Sequence, residues 1–366
     1  MRIDKGQISS RLLLFSVACF LQSSALLTAF LTEITRQDSW IVVLLGAIVY
    51  LPFLWLLGTL MAMFPEQNLI QILDEVYGPV LGKILGLAYL WFFLTLSSVN
   101  LTDLADFTKG TIMFRTPAPA MSAVCILVSA IAVRKGIKLV TKFSPLFVIV
   151  AIVTMTLSTF LVINQFKLEN FLPIFTLPAK SYFQGTHIIA TIPFGEMVVY
   201  LMIHPNVKFS RREIRKSLFW GFAVGGLTLW STTLRDIGVL GNTVDLFTVP
   251  SLITFRLVQV GPSISRTEIL FAIILIMLLF YKITLLYYVA VLTISQLFKI
   301  RSYNHLVLVV GSLMITYGLT LYPSPQKQAA SVQETVPVIW TVFEILIPTL
   351  TFILAKIRKL PKAKEA

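Results

Sequence analysis

Charged residues are scarce in this chain. They make up 13% of its 366 residues, whereas 57% are hydrophobic, and a soluble domain carries about 25% charge. That shortage excludes water as the main solvent. Stretches such as residues 269–280 hold no charged side chain to turn outward, so their apolar surface has to face lipid. Cysteine is nearly absent as well. Cys19 and Cys125 both lie in apolar runs, without a CxxC neighbour or a metal-ligand spacing, which leaves no basis for a disulfide framework or a zinc site. Catalytic signatures are missing too: there is no Walker-type phosphate loop, nucleophile elbow, HExxH pair or dinucleotide fingerprint. The sequence therefore reads as a non-enzyme with no cofactor or metal. His187, His204 and His305 do not cluster, and their places near the ends of apolar runs predict surface positions.

What is present is a series of apolar runs. About 20 residues of helix cross roughly 30 Å of hydrocarbon, and ten runs qualify as candidates: residues 12–31, 40–63, 84–104, 118–133, 143–162, 183–203, 218–234, 269–297, 306–321 and 336–355. The net charge of +13 would suggest nucleic acid in a soluble protein. Here the basic residues sit in short loops between the runs, so they report topology and membrane lipid rather than a nucleic-acid partner. With the N-terminus inside, 20 of the 30 Lys and Arg residues fall on the inner side and 9 on the outer, leaving only Lys282 within a span. This bias predicts that both termini are cytoplasmic, with a basic tail over residues 356–366. Arg2, Lys5 and Arg11 precede a first membrane span rather than a cleaved signal, because no small-residue cleavage site follows. The longest connection, residues 235–268, contains an apolar stretch at 249–260 that is too short to span and reads as an interfacial or lid helix. Gly78, Gly82 and Gly86 recur every four residues, as close helix packing needs.

Polar groups inside the apolar runs carry the functional signal. Lys282 lies near the middle of the eighth span, where an unpaired Lys costs about 2.5–3.5 kcal/mol on insertion scales. Glu196 lies at a similar depth in the sixth. The two are expected to pair or to share a hydrated cavity, serving either as a structural ion pair or in ligand or ion handling. Glu196 ends the sequence Pro193-Phe194-Gly195-Glu196, where proline removes a backbone donor and glycine weakens the helix, so span six should kink or unwind there. In span one, Gln22-Ser23-Ser24 form a polar island between apolar neighbours. Span three adds Ser97, Ser98, Asn100, Thr102, Asp103 and Asp106, with the two aspartates near the membrane boundary, and span eight adds Thr284, Tyr287 and Tyr288. Glu344, followed by Pro348, interrupts span ten without a visible role.

Ten spans divide into two sets of five, residues 12–162 and 183–355, and an odd number per set makes the halves inverted repeats within one membrane domain. Spans one and six then hold matching positions, and both are interrupted. That combination is the sequence pointer to a midplane binding site between broken helices, where an unpaired half-helix N-terminus favours a carboxylate.

The opening Ile3-Asp4-Lys5-Gly6-Gln7-Ile8-Ser9, the Gln37-Asp38-Ser39-Trp40 start of span two, Pro193-Phe194-Gly195-Glu196, the Lys282-centred eighth span and Phe343-Glu344-Ile345 before Pro348 come in an order that resembles the GerAB-type B subunit of spore nutrient germinant receptors, over essentially the whole chain. That family is similar to the amino acid/polyamine/organocation transporters. The resemblance implies an all-α membrane protein of LeuT-like fold in the spore inner membrane. It also implies partnership with an A subunit and a lipoprotein C subunit, and sensing of a small nutrient, an amino acid being the first expectation. It places the ligand site around Gln22, Ser23, Ser24, Ser98, Pro193, Phe194, Gly195 and Tyr287, with Glu196 and Lys282 as the intramembrane pair. One departure concerns span one, where relatives of this fold commonly have glycine at the break and this chain has Gln22-Ser23-Ser24. By fold analogy, the Lys282 ammonium would stand in for the cation that span eight helps to hold in sodium-coupled relatives. An ion- or proton-coupled amino acid transporter is the alternative reading.

Overall fold

Hydrocarbon offers the backbone no hydrogen-bond partners, so a spanning chain has to satisfy them within its own helices. The computed structural model describes residues 6–24, 28–207, 211–258 and 266–361, and these residues form α-helices joined by turns, 3₁₀ and π segments and a longer irregular connection at 162–178. Several expectations fall outside the described residues: Arg2, Ile3, Asp4, Lys5, the apolar Ala25-Leu26-Leu27 after the polar island, Lys208, positions 259–260 of the lid stretch, and Lys362 and Lys364 of the basic tail.

Span one is made of two pieces, α1 (Ser10–Gln22) and α2 (Thr28–Thr35). The Ser9 hydroxyl starts α1 by accepting the Leu12 amide at 3.1 Å. There follow α3 (Ser39–Met63), the short α4 (Leu69–Tyr77), α5 (Pro79–Thr111), α6 (Ala118–Lys135), α7 (Ile137–Lys142) and α8 (Ser144–Leu161). A reciprocal cap between Asn68 and Gln71 sets α4. The second half comprises α9 (Ala179–Ile189), α10 (Tyr200–Ile203), α11 (Arg211–Leu240), α12 (Pro250–Arg256), α13 (Glu268–Leu297), α14 (Leu306–Leu321), α15 (Pro325–Glu334), α16 (Val336–Thr341) and α17 (Ile347–Ile357).

Among the described residues, eight helical stretches rather than ten are long and apolar enough to cross a membrane. Two of the expected spans fall short for separate reasons. The first is divided, α1 contributing only 13 residues. The seventh lies in α11, which is long enough at 30 residues, but its middle is diluted by Gly221, Gly225, Gly226, Ser231, Thr232 and Thr233. Those glycines have a packing reason. Gly221 and Gly225 lie against the Leu14 carbonyl, Val17 and Leu21, so α1 approaches α11 closer than any side chain would permit. Gly82 and Gly86 likewise let α5 lie against Asp74 and Leu297.

The most buried elements are the second half of span six and the middle of α13: residues 197–203 have no exposed surface, and nor do Ile283, Leu285, Tyr287 and Ala290. The outer helices show lipid-ready faces instead, with Val124, Leu127, Val128 and Ile131 exposed on α6 and Leu146, Ile149, Val153, Leu157 and Phe160 exposed on α8. The chain is a multi-pass membrane protein with its polar residues turned inward.

Two expectations are corrected here. α11 runs six residues beyond the expected end of its span and carries Arg235 and Asp236 into the protein, Arg235 being 1% exposed. The extension is stable because the guanidinium donates through Nε and Nη2 to Asp236 Oδ1 at 2.9 and 2.7 Å and through Nη1 to Ser158 Oγ at 2.7 Å, while Ser251 donates to the other Asp236 oxygen. His204, expected at the surface, is fully buried. Its ring nitrogens lie 2.8 Å from the Phe64 carbonyl and 3.1 Å from that of Leu201, which replaces the water the imidazole would otherwise need. His305 is exposed, and His187 is half-buried beside Thr341 Oγ1 at 2.7 Å. Ahead of α1, Ile8 pairs with Val207 just past span six: the Ile8 amide donates to the Asn206 carbonyl at 2.9 Å, and Asn206 Nδ2 donates to the Gly6 carbonyl at 2.7 Å.

Candidate functional site

Three backbone interruptions meet inside the bundle. In span six, Pro193 cannot donate to the Ile189 carbonyl, and the chain opens into a wide π turn over Ala190–Phe194. There Ile192 leaves the helical region (φ −110°, ψ 107°), and a tighter 3₁₀ turn, Gly195–Val199, leads into α10. In span one, α1 ends at Gln22 and the backbone tightens at Ser23 and Ser24, with Ser23 Oγ donating to the Phe20 carbonyl at 2.5 Å. In span ten, Pro348 cannot donate to the Glu344 carbonyl, and a π turn, Val342–Leu346, separates α16 from α17. The Tyr89 hydroxyl donates to the Phe343 carbonyl there at 2.6 Å.

Lys282 joins two of these breaks. Its ammonium lies 2.5 Å from Glu196 Oε2, donates to Ser24 Oγ at 2.7 Å and sits 4.8 Å from the Phe20 ring centroid. Lys282 has no exposed surface and Glu196 is 1% exposed. A single ion pair therefore ties span eight to the broken parts of spans one and six. Beside it, Ser16 Oγ lies 3.0 Å from the Tyr200 hydroxyl and 2.5 Å from that of Tyr281.

Directly next to Glu196 lies a small, partly open cavity. Leu96, Val99, Asn100 and Asp103 of α5 form one wall, Ile192 and Glu196 the floor, and Val336 and Trp340 of α16 the far wall. Tyr322 with Gln328 and Val332 of α15 cover it, and Gln328 Nε2 donates to Asp103 Oδ1 at 2.6 Å. The lining is mostly apolar, with Asn100, Asp103, Glu196, Tyr322 and Gln328 as its polar groups. Among the described residues, no three His, Cys, Asp or Glu side chains converge as a metal site would require.

The structure gathers some of the expected site residues and disperses others. Ser24, Glu196 and Lys282 come together, and of the expected polar groups Glu196 faces the cavity together with Asn100 and Asp103 of span three. Gln22 turns to α11, donating to Thr228 Oγ1 at 3.0 Å, with its carbonyl oxygen buried and unpartnered among the described residues. Ser98 Oγ is also buried without a partner among the described residues. Phe194 packs between Tyr50 and Phe222, at 6.2 and 4.8 Å between centroids, while Pro193 and Gly195 are buried in the break itself. Tyr287 points at α14, where its hydroxyl donates to the Val307 carbonyl. Gln328, Val332 and Trp340 were not anticipated. For α15 a signal was available: Ser324 caps and Pro325 begins the helix, a start pattern legible in sequence.

A model of the family described as spore germination protein matches residues 7–329. The chain belongs to that family. Among curated relatives, this spore germination protein is similar to Spore germination protein KB of Bacillus subtilis (strain 168), 27% identical over the full length of both chains, and to Spore germination protein A2 of the same organism, 21% identical over 91% of this chain and 90% of that one. Among solved structures it resembles MhsT in complex with L-phenylalanine, at a TM-score of 0.65 and 14% identity, covering 95% of this chain and 88% of that one. It also resembles Mhp1, a nucleobase-cation-symport-1 family transporter, in a closed conformation with bromovinylhydantoin bound, at a TM-score of 0.63 and 12% identity, covering 95% and 80%. At these identities the likeness establishes fold: this germination protein has the LeuT-like transporter architecture.

Proposed function

We propose that this chain is the nutrient-sensing B subunit of a spore germinant receptor, binding a small germinant, an amino acid first of all, beside the Glu196–Lys282 pair. The observation that supports this reading most directly is that the only ion pair across the broken spans among the described residues forms the edge of a small, partly polar cavity. A ligand entering there meets Asn100, Asp103 and Glu196 and touches α5, α15, α16 and the break in span six. Ligand binding shifts a conformational equilibrium only through a difference in affinity between its states, and groups at a helix break differ most between states. On this reading the two five-helix sets, residues 12–162 and 183–355, are inverted repeats that rock around the pair. The change passes to an A subunit and a lipoprotein C subunit in the spore inner membrane, with both termini cytoplasmic.

Purified protein in liposomes tests the reading. The receptor predicts saturable binding of a germinant amino acid without accumulation, together with a germination response lost when this chain is deleted and abolished by combined Glu196→Gln and Lys282→Met substitution. An intact response in that double variant overturns the site. Ion- or proton-coupled amino acid transport is the second reading, favoured by the buried charges of spans six and eight. Accumulation against a gradient would establish it.

A further inference from the structure

The break in span six faces a second carboxylate that the Lys282 pair does not serve. Glu344, in the π turn of span ten, is 4% exposed, and neither of its side-chain oxygens has a hydrogen-bond partner among the described residues. Its carboxyl group lies over the α-carbon of Gly195, filling the space that any larger residue there would occupy. The titratable groups facing it are Glu196 next to Gly195, Lys282 of α13, Tyr50 of α3 and Tyr89 of α5. Tyr89 spends its hydroxyl proton on the Phe343 carbonyl, and the Lys282 ammonium is already engaged by Glu196 and Ser24. The cluster therefore holds two carboxyl groups and one cation.

A buried carboxylate with neither donor nor cation is not a stable arrangement; such a group takes up a proton or a cation instead. We propose that Glu344 is a proton-binding site, carrying its proton in this conformation and linking proton occupancy to the packing of span ten against the break in span six. With the proton bound, the neutral acid packs over Gly195 and the Glu196–Lys282 pair stands alone. When the proton leaves to solvent, Glu344 becomes a second anion competing with Glu196 for the single ammonium, and the contact over Gly195 loosens. This role holds whether the chain senses or carries its ligand.

Infrared spectroscopy of the full chain in lipid nanodiscs tests the proposal, with the glutamate carboxyl groups isotope-labelled to separate them from aspartate and lipid carbonyls. The expected result at neutral pH is a protonated-glutamate carbonyl band in the wild type that disappears in Glu344→Gln and titrates away at high pH. Absence of the band in the wild type overturns the proposal and requires no variant. So does a band unchanged in Glu344→Gln, or one that emerges only after sodium and potassium are removed, which would make the occupant an alkali cation.

Discussion

Lys282 donates to the Ser24 hydroxyl at 2.7 Å, fastening the middle of span eight to the point where span one ceases to be an α-helix. The same ammonium is held by Glu196 at 2.5 Å, so removing it breaks two connections at once. Lys282→Met should destabilise the protein by about 3–5 kcal/mol, the cost of leaving a buried carboxylate unpaired. Adding Glu196→Gln should recover most of that loss. Thermal unfolding in detergent of both single variants and the double variant measures the coupling; strictly additive losses would show that the pair contributes no joint stability.

Gly195 is predicted to tolerate no side chain while Glu344 keeps its length. Gly195→Ala places a methyl group where the Glu344 carboxyl lies, and overpacking of this kind costs about 1–3 kcal/mol. Combining it with Glu344→Ala should restore part of the lost thermal stability, since the shorter side chain vacates the space.

Asp38 is expected to act at a distance from the cavity. Its Oδ2 accepts the Phe175 amide at 2.9 Å and the Tyr182 hydroxyl, and neighbouring Gln37 donates to the Pro173 carbonyl at 2.7 Å. Asp38→Ala should cost about 1–3 kcal/mol through these orphaned donors. Faster hydrogen exchange at the Phe175 amide, with ligand affinity unchanged, is the signature to measure.

Arg235→Lys is predicted not to be conservative. A lysine offers no fork to reach Asp236 and Ser158 together, and losing charge-assisted hydrogen bonds in a buried place costs about 1.5–3 kcal/mol. A melting temperature equal to that of the wild type would contradict this account of why α11 continues past its expected end.

If the Lys282 ammonium stands in for the cation of sodium-coupled relatives, germinant binding should not depend on sodium. Replacing sodium with choline in the binding assay is expected to leave affinity unchanged, and a strict sodium requirement would overturn the assignment.

The parts of this fold that were legible in sequence are those where membrane physics is least forgiving. A lysine and a glutamate deep in apolar runs had to meet, and proline with glycine inside one run had to disturb its helix. Side-chain direction was not legible in the same way. Tyr287 follows Lys282 by five residues, which at about 100° per residue turns it roughly 140° away around the helix, towards α14 instead of the break. Phe194 sits at the break but spends its ring on Tyr50 and Phe222. α15 escaped notice because it is short and polar, and a hydropathy reading registers such a segment only as a loop. Composition alone hides α11 for a related reason: it gains its place through glycines that fit α1, a property of the pair that the helix's own composition obscures.

The pairing of Ile8 and Asn206 ahead of α1 has a mechanical result. Because the chain before span one is hydrogen-bonded to the chain just after span six, the two interrupted spans share an anchored hem at that end. A tilt of either segment at that end must carry the other with it or break these two hydrogen bonds.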